Sequence, residues 1–249
     1  MIRSIAKRSQ ATPRKSPAPI DSAAARRGPD PVEDEIYRLI TDAIVTKQLR
    51  PGSRLKEAAL ATQFDVSRTR VRRVFQRLAE LDFVEFRLNH GALVRRPSPD
   101  EARAVFATRR LIEGEAVRLT TGRAGPQEFK RFYAFLKSEN LAFAQRSKGA
   151  GAISSRFHIL VGETCGNPVL ARILNQLVHR CVLIQSLYER ESQNTICLTH
   201  EHVEIIDLMK AGKAQAAVAV MLHHLDHIEA SLDYDHAGSI DGRLALAIG

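Results

Sequence analysis

Six apolar-periodic segments, at about 99–121, 126–147, 151–164, 168–191, 195–211 and 214–233, fill the second part of this sequence, and nothing between them reads as a strand. Gly125-Pro126, Gly149 to Gly151, Asn167-Pro168, Glu191 to Asn194 and Gly212 separate them, residues that end helices or punctuate turns. Helical segments of this length joined by short breaks pack as antiparallel neighbours. The pattern therefore predicts an all-α six-helix antiparallel bundle, large enough to enclose a cavity. Ahead of it, Arg96-Pro97-Ser98-Pro99 reads as a linker.

Before the linker the order is different. Val32, Ile36, Leu39, Ile40, Ala43 and Ile44 recur at helical steps until Pro51-Gly52 stops them. A short helix over 56–64 turns Ala59, Leu60 and Phe64 inward, and Asp65-Val66 makes a turn. Ser67 is placed to cap a third helix that runs to about Leu81. Two strand-like pieces, 84–87 and 92–95, flank the tight turn Leu88-Asn89-His90-Gly91, where Asn and Gly tolerate unusual backbone angles. Helix, helix-turn-helix and β-hairpin is the order of a winged helix-turn-helix, so the whole chain is expected to be mainly α with one small hairpin.

Charge divides at the same place. Residues 1–30 hold 7 Lys/Arg against 2 Asp/Glu, residues 31–98 hold 13 against 9, and residues 99–249 hold 17 against 17. The full net charge of +9 thus lies in the first 98 residues, while eight of the nine histidines lie in the neutral remainder. One part attracts polyanions and the other is rich in metal-ligand side chains. Residues 1–30, with four prolines and little to bury, read as a disordered basic arm, and 236–249 as a loosely held tail. The longest apolar run, Ala216 to Leu222, is far too short to span a bilayer, and the basic start has no apolar stretch behind it. The three cysteines form no CxxC pair and leave an odd thiol in any disulfide scheme, which points to the reducing cytoplasm.

The third helix concentrates the positive charge. Between Ser67 and Arg77 stand five arginines and no acid. Val71, Val74, Phe75 and Leu78 share one face; Arg68, Thr69 and Arg72 fall on another, near the helix start. A packed back with an Arg-rich leading edge suits the major groove, where guanidinium pairs with guanine and phosphates take the remaining cations. The bland alternative is a solvated cationic face, and the accompanying turn and wing weigh against it.

The stretch Leu55-Lys56-Glu57 to Leu60-Ala61, then Val66-Ser67-Arg68-Thr69 to Val71-Arg72, and Arg87-Leu88-Asn89-His90-Gly91-Ala92-Leu93-Val94 resembles the winged helix of GntR-type bacterial transcription regulators over 31–97. The resemblance implies that Arg68, Thr69 and Arg72 contact operator DNA, with the wing around His90 and Gly91 approaching the minor groove; Ser67 and Arg70, beside them at the helix start, are further DNA-binding candidates. Ala58, Arg70 and His90 depart from common family residues, so the operator sequence is this protein's own.

His158, His202 and His224 fall on three separate predicted helices, each beside apolar residues that face the bundle interior. Three inward imidazoles form one face of a coordination sphere suited to Zn, Ni and related ions. Satisfied core histidines are the bland alternative, and His223 with His227, one turn apart, offer a competing register. Residues 100–235 resemble the FCD ligand-binding domain of the FadR-like branch, with the six helices of its VanR-type subdivision. That resemblance implies a metal held by His158, His202 and His224, with Ser154 at the place of an aspartate ligand. Without that carboxylate the charge of a divalent ion stands uncompensated, a gap that an anion entering the cavity would fill.

In such relatives an arginine at the position of Arg109 points into the cavity to grip an effector carboxylate; a surface i,i+4 pair with Glu113 is the equal alternative. Domains are accordingly expected at 31–97 for DNA binding and 98–235 for effector binding and dimerisation. The function expected is a ligand-responsive transcription regulator, typically a repressor, that binds a palindromic operator as a homodimer and answers to a small organic acid. A three-histidine metalloenzyme fused to a nucleic-acid module is the competing class, but Glu163, Glu201 and Glu204 have no recognisable catalytic spacing. A constitutive architectural DNA-binding protein leaves the histidines and the large bundle unexplained.

Overall fold

The computed structural model describes residues 30–88, 90–145, 147, 150–189 and 199–235. The basic arm, apart from Asp30, and the 236–249 tail lie outside them, as do Asn89 and Cys197. Pro31–Val45 forms α1, Arg54–Leu55 β1, Glu57–Gln63 α2, Arg68–Glu80 α3, Val84–Arg87 β2 and Gly91–Val94 β3. Six further helices follow: α4 Pro99–Arg123, α5 Pro126–Ala144, α6 Ala150–Thr164, α7 Pro168–Tyr188, α8 Thr199–Lys210 and α9 Ala214–Ala230. The mainly α fold with a small β-hairpin is as the sequence predicts.

The sheet has one strand more than the sequence discloses. β1 joins the hairpin in the order β1-β3-β2, antiparallel throughout, with Arg54 opposite Leu93 and Phe86 opposite Ala92. Two residues cannot show an alternation, and β1 exists because Gly52, at φ +87°, returns the chain to Val94 (Gly52 N–H to Val94 O, 2.8 Å).

Caps fix where the long helices begin. Ser98 accepts from Glu101 N–H at 3.1 Å, with Pro99 in the first turn of α4 and Asp100 and Glu101 at its positive end. Asn167 accepts from the N–H groups of Val169 and Leu170 to start α7. Lys213 provides no side-chain cap to α9.

α1, α3 and the sheet enclose a core of Ile36, Ile40, Val71, Phe75, Leu78 and Val84, and Leu183 of α7 is buried in it as well. The bundle has its own core around Phe132, Phe157, Leu174, Ile205 and Met221. Polar contacts tie the two parts together. Asp82, a non-glycine residue at φ +59°, sits between Arg95 and Arg180, and Arg95 also reaches Glu101 of α4 at 2.8 Å. The Tyr188 hydroxyl donates to Pro97 O at 2.8 Å. No described helix is long and apolar enough to cross a membrane.

Candidate functional site

α3 buries Val71, Val74, Phe75 and Leu78. Ser67 caps it by accepting from Arg70 N–H, and Arg68 and Thr69 are exposed at its leading edge. Among the described residues Arg68 has no ion-pair partner, whereas the other arginines are engaged. Arg72 holds Glu57 of α2 bidentately, with Nε to Oε1 at 2.9 Å and Nη2 to Oε2 at 3.0 Å. Arg73 pairs with Glu33 at 2.7 Å, Arg70 lies 3.6 Å from the same carboxylate, and Arg77 pairs with Asp34 while covering the Tyr37 ring. In the wing, His90 and Gly91 are exposed, Gly91 at φ +74°, and Leu88 projects with 89% of its surface free. Sequence reasoning missed Glu57 as a partner of Arg72, since nothing in the spacing of 57 and 72 joins them before the two helices pack.

In the bundle His158 of α6, His202 of α8 and His224 of α9 meet with at most 2% of each residue exposed. His202 Nε2 lies 3.1 Å from His224 Nε2, which lies 3.4 Å from His158 Nε2. The opposite nitrogen of each ring is taken by a carboxylate: His158 Nδ1 by Glu113 Oε2 at 2.5 Å, His202 Nδ1 by Glu139 Oε1 at 2.9 Å, and His224 Nδ1 by Glu201 Oε2 at 2.7 Å. His223 and His227 lie on the outer side of α9 instead, so the register that points His224 inward is the one formed.

The protonation states follow from burial. Burial pushes His158 down to about 3, although Glu113 pulls it upward, and pushes His224 down to about 4 against the pull of Glu201. Burial raises the Glu113 carboxyl, but Arg109 and His158 more than offset this and hold it at about 2; His224 and His227 do the same for Glu201. Near neutral pH His158 and His224 are therefore neutral imidazoles, each with its Nδ1–H donating outward to the ionised carboxylate of Glu113 or Glu201. The Nε2 atoms of these two rings and of His202 turn toward a common centre. Nitrogens gathered at 3.1 and 3.4 Å suit a cation held between them. Those separations bracket the edge of about 3.3 Å expected of a tetrahedral site with metal–nitrogen bonds of about 2.0 Å. The residues fit a divalent metal ion, with carboxylates oriented behind the ligands as metal sites require.

This corrects one expectation. The charge of a divalent ion is not left uncompensated for want of an acid at Ser154, which lies half-buried one turn before His158. Glu113 and Glu201 supply negative charge behind two of the rings, Glu139 stands behind the third, and Arg109 offsets one charge. The sequence signal for this was available at Glu139: an acid on the apolar stripe of Phe132 and Leu136 in α5. Arg109 itself combines the two alternatives. It pairs with Glu113 through Nε at 2.5 Å, but in the interior rather than on the surface; the Cys181 thiol lies against the guanidinium, and Nη2 is buried with no hydrogen bond of ordinary geometry among the described residues.

Metal-free protein should consequently be acid-sensitive. With its folded value near 3 against an ordinary 6.5, His158 refuses a proton that the unfolded chain accepts. Its contribution to stability is present above pH 6.5 and is lost as pH falls toward 3. Thermal melts of chelator-treated protein are expected to give a lower Tm at pH 5.5 than at pH 7.5, with a smaller gap in His158→Gln.

Residues 32–94 match the bacterial regulatory proteins of the gntR family, and residues 104–227 match the FCD domain. The chain is a GntR-family transcriptional regulator with an FCD domain. Among its relatives, the Nta operon transcriptional regulator of Aminobacter aminovorans is 26% identical over 182 residues, covering 73% of this chain and 85% of the relative. The transcriptional repressor RspR of Escherichia coli K12 is 22% identical over 203 residues, covering 81% and 89%. A solved GntR structure from Rhodococcus sp. RHA1 superposes with a TM-score of 0.68 at 25% identity, covering 80% of this chain and 95% of that one. These GntR-family relatives are DNA-binding regulators rather than enzymes, which sets aside the metalloenzyme alternative. GntR regulators bind DNA and FCD domains bind small-molecule effectors.

Proposed function

We propose that this GntR-family regulator is a metal-dependent, ligand-responsive repressor, dimeric on a palindromic operator and working in the cytoplasm. Residues 31–97 would read the DNA, while 98–235 would bind effector and dimerise. The observation that carries the reading is the convergence of three carboxylate-oriented imidazoles beside a buried guanidinium nitrogen with no hydrogen bond of ordinary geometry among the described residues. His158, His202 and His224 would hold a Zn or Ni ion, which when bound offers open positions to an oxygen ligand. Arg109 Nη2 would donate to a small organic acid in that space, with Ser154, one turn before His158 on α6, as a second candidate contact; a buried nitrogen of this kind calls for such a partner. The repressor role is supported by the name RspR carries, and the dimer by geometry, because one recognition helix spans too few base pairs for a specific site.

The route from effector to DNA follows two helices. α4 carries Arg109 and Glu113 and, two turns earlier, Glu101, which holds Arg95 after the wing. α7 carries Cys181 beside Arg109 and Arg180 on Asp82. A shift of either helix on ligand binding would be felt at the α3–β2 turn. Fluorescence-anisotropy titrations on DNA flanking the protein's own gene, repeated with a panel of small carboxylates, test the proposal. At least one acid is expected to weaken binding by about 10-fold or more, within the range of 5–150-fold usual for coupled sites. An unresponsive complex with every acid, in protein loaded with Zn or Ni, would refute the ligand-responsive reading.

A further inference from the structure

The outer face of α9 carries a second set of ligand side chains that the buried cluster does not use. His223 and His227 stand one turn apart with ring centroids 3.9 Å apart. Glu201 of α8 reaches the same spot, its Oε1 lying 2.5 Å from His227 Nδ1. One ligand atom each from Glu201, His223 and His227 lies within 4.8 Å of the others. We propose that Glu201, His223 and His227 form a second, solvent-facing site for a divalent transition-metal ion, joined to the buried imidazoles through the shared carboxylate of Glu201.

Two histidines at i and i+4 project from one helix face and make a clasp that the helix itself holds in place. Two imidazoles and one carboxylate are a ligand set that Zn, Ni, Co and Fe(II) all accept, with the remaining positions open to water. Exposure is graded to match. The His227 side chain is 42% exposed and His223 lies at the surface, so an ion enters from solvent without any rearrangement of the bundle. Glu201 is only 6% exposed and is pinned from behind, its Oε2 accepting from His224 Nδ1 at 2.7 Å. The carboxylate is thus pre-positioned, with Oε2 held by His224 and Oε1 turned outward to His227. Binding needs only the His227–Glu201 contact to open from 2.5 Å to about 3.3 Å, the ligand edge of a tetrahedral site. Because that hydrogen bond must be given up and water competes, the outer ion is the weaker of the two.

Glu201 then serves both ions. An outer ion draws on the negative charge that backs His224, so filling the outer site loosens the inner one, and the converse holds by linkage. The arrangement gives the protein a second response at metal concentrations above those that fill the bundle.

The test is calorimetric titration of metal-stripped, tag-free, full-length protein with Zn or Ni ions. Two ions per chain are expected. His223→Gln and His227→Gln should each weaken the weaker event at least tenfold and leave the tighter one in place, whereas His202→Ala should abolish the tighter and keep the weaker. One ion per chain that survives both outer substitutions, or a weaker event unchanged by both, would overturn the outer site while leaving the buried one standing. Loss of only the outer-sensitive event, with no change in His202→Ala, counts against the buried site instead.

Discussion

Replacing His202 by alanine is expected to strip the buried ion from the protein, and to destabilise the fold for a separate reason. The substitution removes one of the three Nε2 atoms that would hold the ion and leaves Glu139, which is fully buried, without the Nδ1–H that it accepts at 2.9 Å. An orphaned buried acceptor of this kind costs about 1–3 kcal/mol, and more when it is charged. The double variant His202→Ala/Glu139→Gln removes that charge and should recover part of the lost Tm while still holding no ion at the buried site. Glu139→Gln alone keeps all three imidazoles but replaces the carboxylate acceptor behind His202 by a weaker amide oxygen, and should weaken metal binding by about 10–100-fold. Metal content after dialysis, read beside thermal melts of all three variants, separates the ligand from its support. Full metal occupancy of the buried site in His202→Ala would remove the ring from the ligand set.

The three imidazoles were legible in the sequence because His158, His202 and His224 each sit beside apolar residues on a separate helix, but the competing register of His223 and His227 on α9 was decided only by the packing of the bundle. What stands behind them was not. Glu113, Glu139 and Glu201 come from α4, α5 and α8 and meet their rings only when the bundle closes, and a lone acid on a helix reads as a solvated residue unless its stripe is apolar. The hairpin was visible in the sequence through the turn residues Asn89 and Gly91, yet β1 was hidden because two residues have no period. Helix ends were read long where the chain leaves by an extended residue: Glu189, at ψ 129°, ends α7 and forms an isolated bridge with Leu232, a partner more than forty positions away in sequence.

Operator binding should fall by about 1–3 kcal/mol in Arg68→Ala, and the loss should be specific to sequence. Arg68 is the arginine at the exposed start of α3 with no ion pair among the described residues, so its guanidinium is available to a base edge without first leaving a carboxylate. Arg72→Ala should cost a comparable amount by another path. Its fork is already fixed on Glu57 through Nε and Nη2, which leaves Nη1 to point outward in a set direction. Glu57→Ala should therefore raise non-specific DNA binding, by removing an acid from the face, while narrowing the ratio of specific to non-specific affinity. Anisotropy titrations at several salt concentrations distinguish these results, since a lost phosphate contact lowers the salt slope by about one and a lost base contact leaves it nearly unchanged. Wild-type affinity in both arginine variants would mean that α3 is not the helix in the groove.

Leu183 has a consequence for anyone who would treat the two parts as interchangeable modules. It belongs to α7, nearly ninety residues beyond the linker, yet it completes the interior in which Ile36, Phe75 and Leu78 are packed. A reading head cut away at Arg96 would carry a leucine-sized hole in its wall, and a foreign head grafted onto this bundle would meet a side chain shaped for another interior. Exchanging operator specificity between relatives thus calls for the seat on α7 to travel with the head, so the practical seam for recombination runs through the middle of a helix rather than along the proline-rich linker.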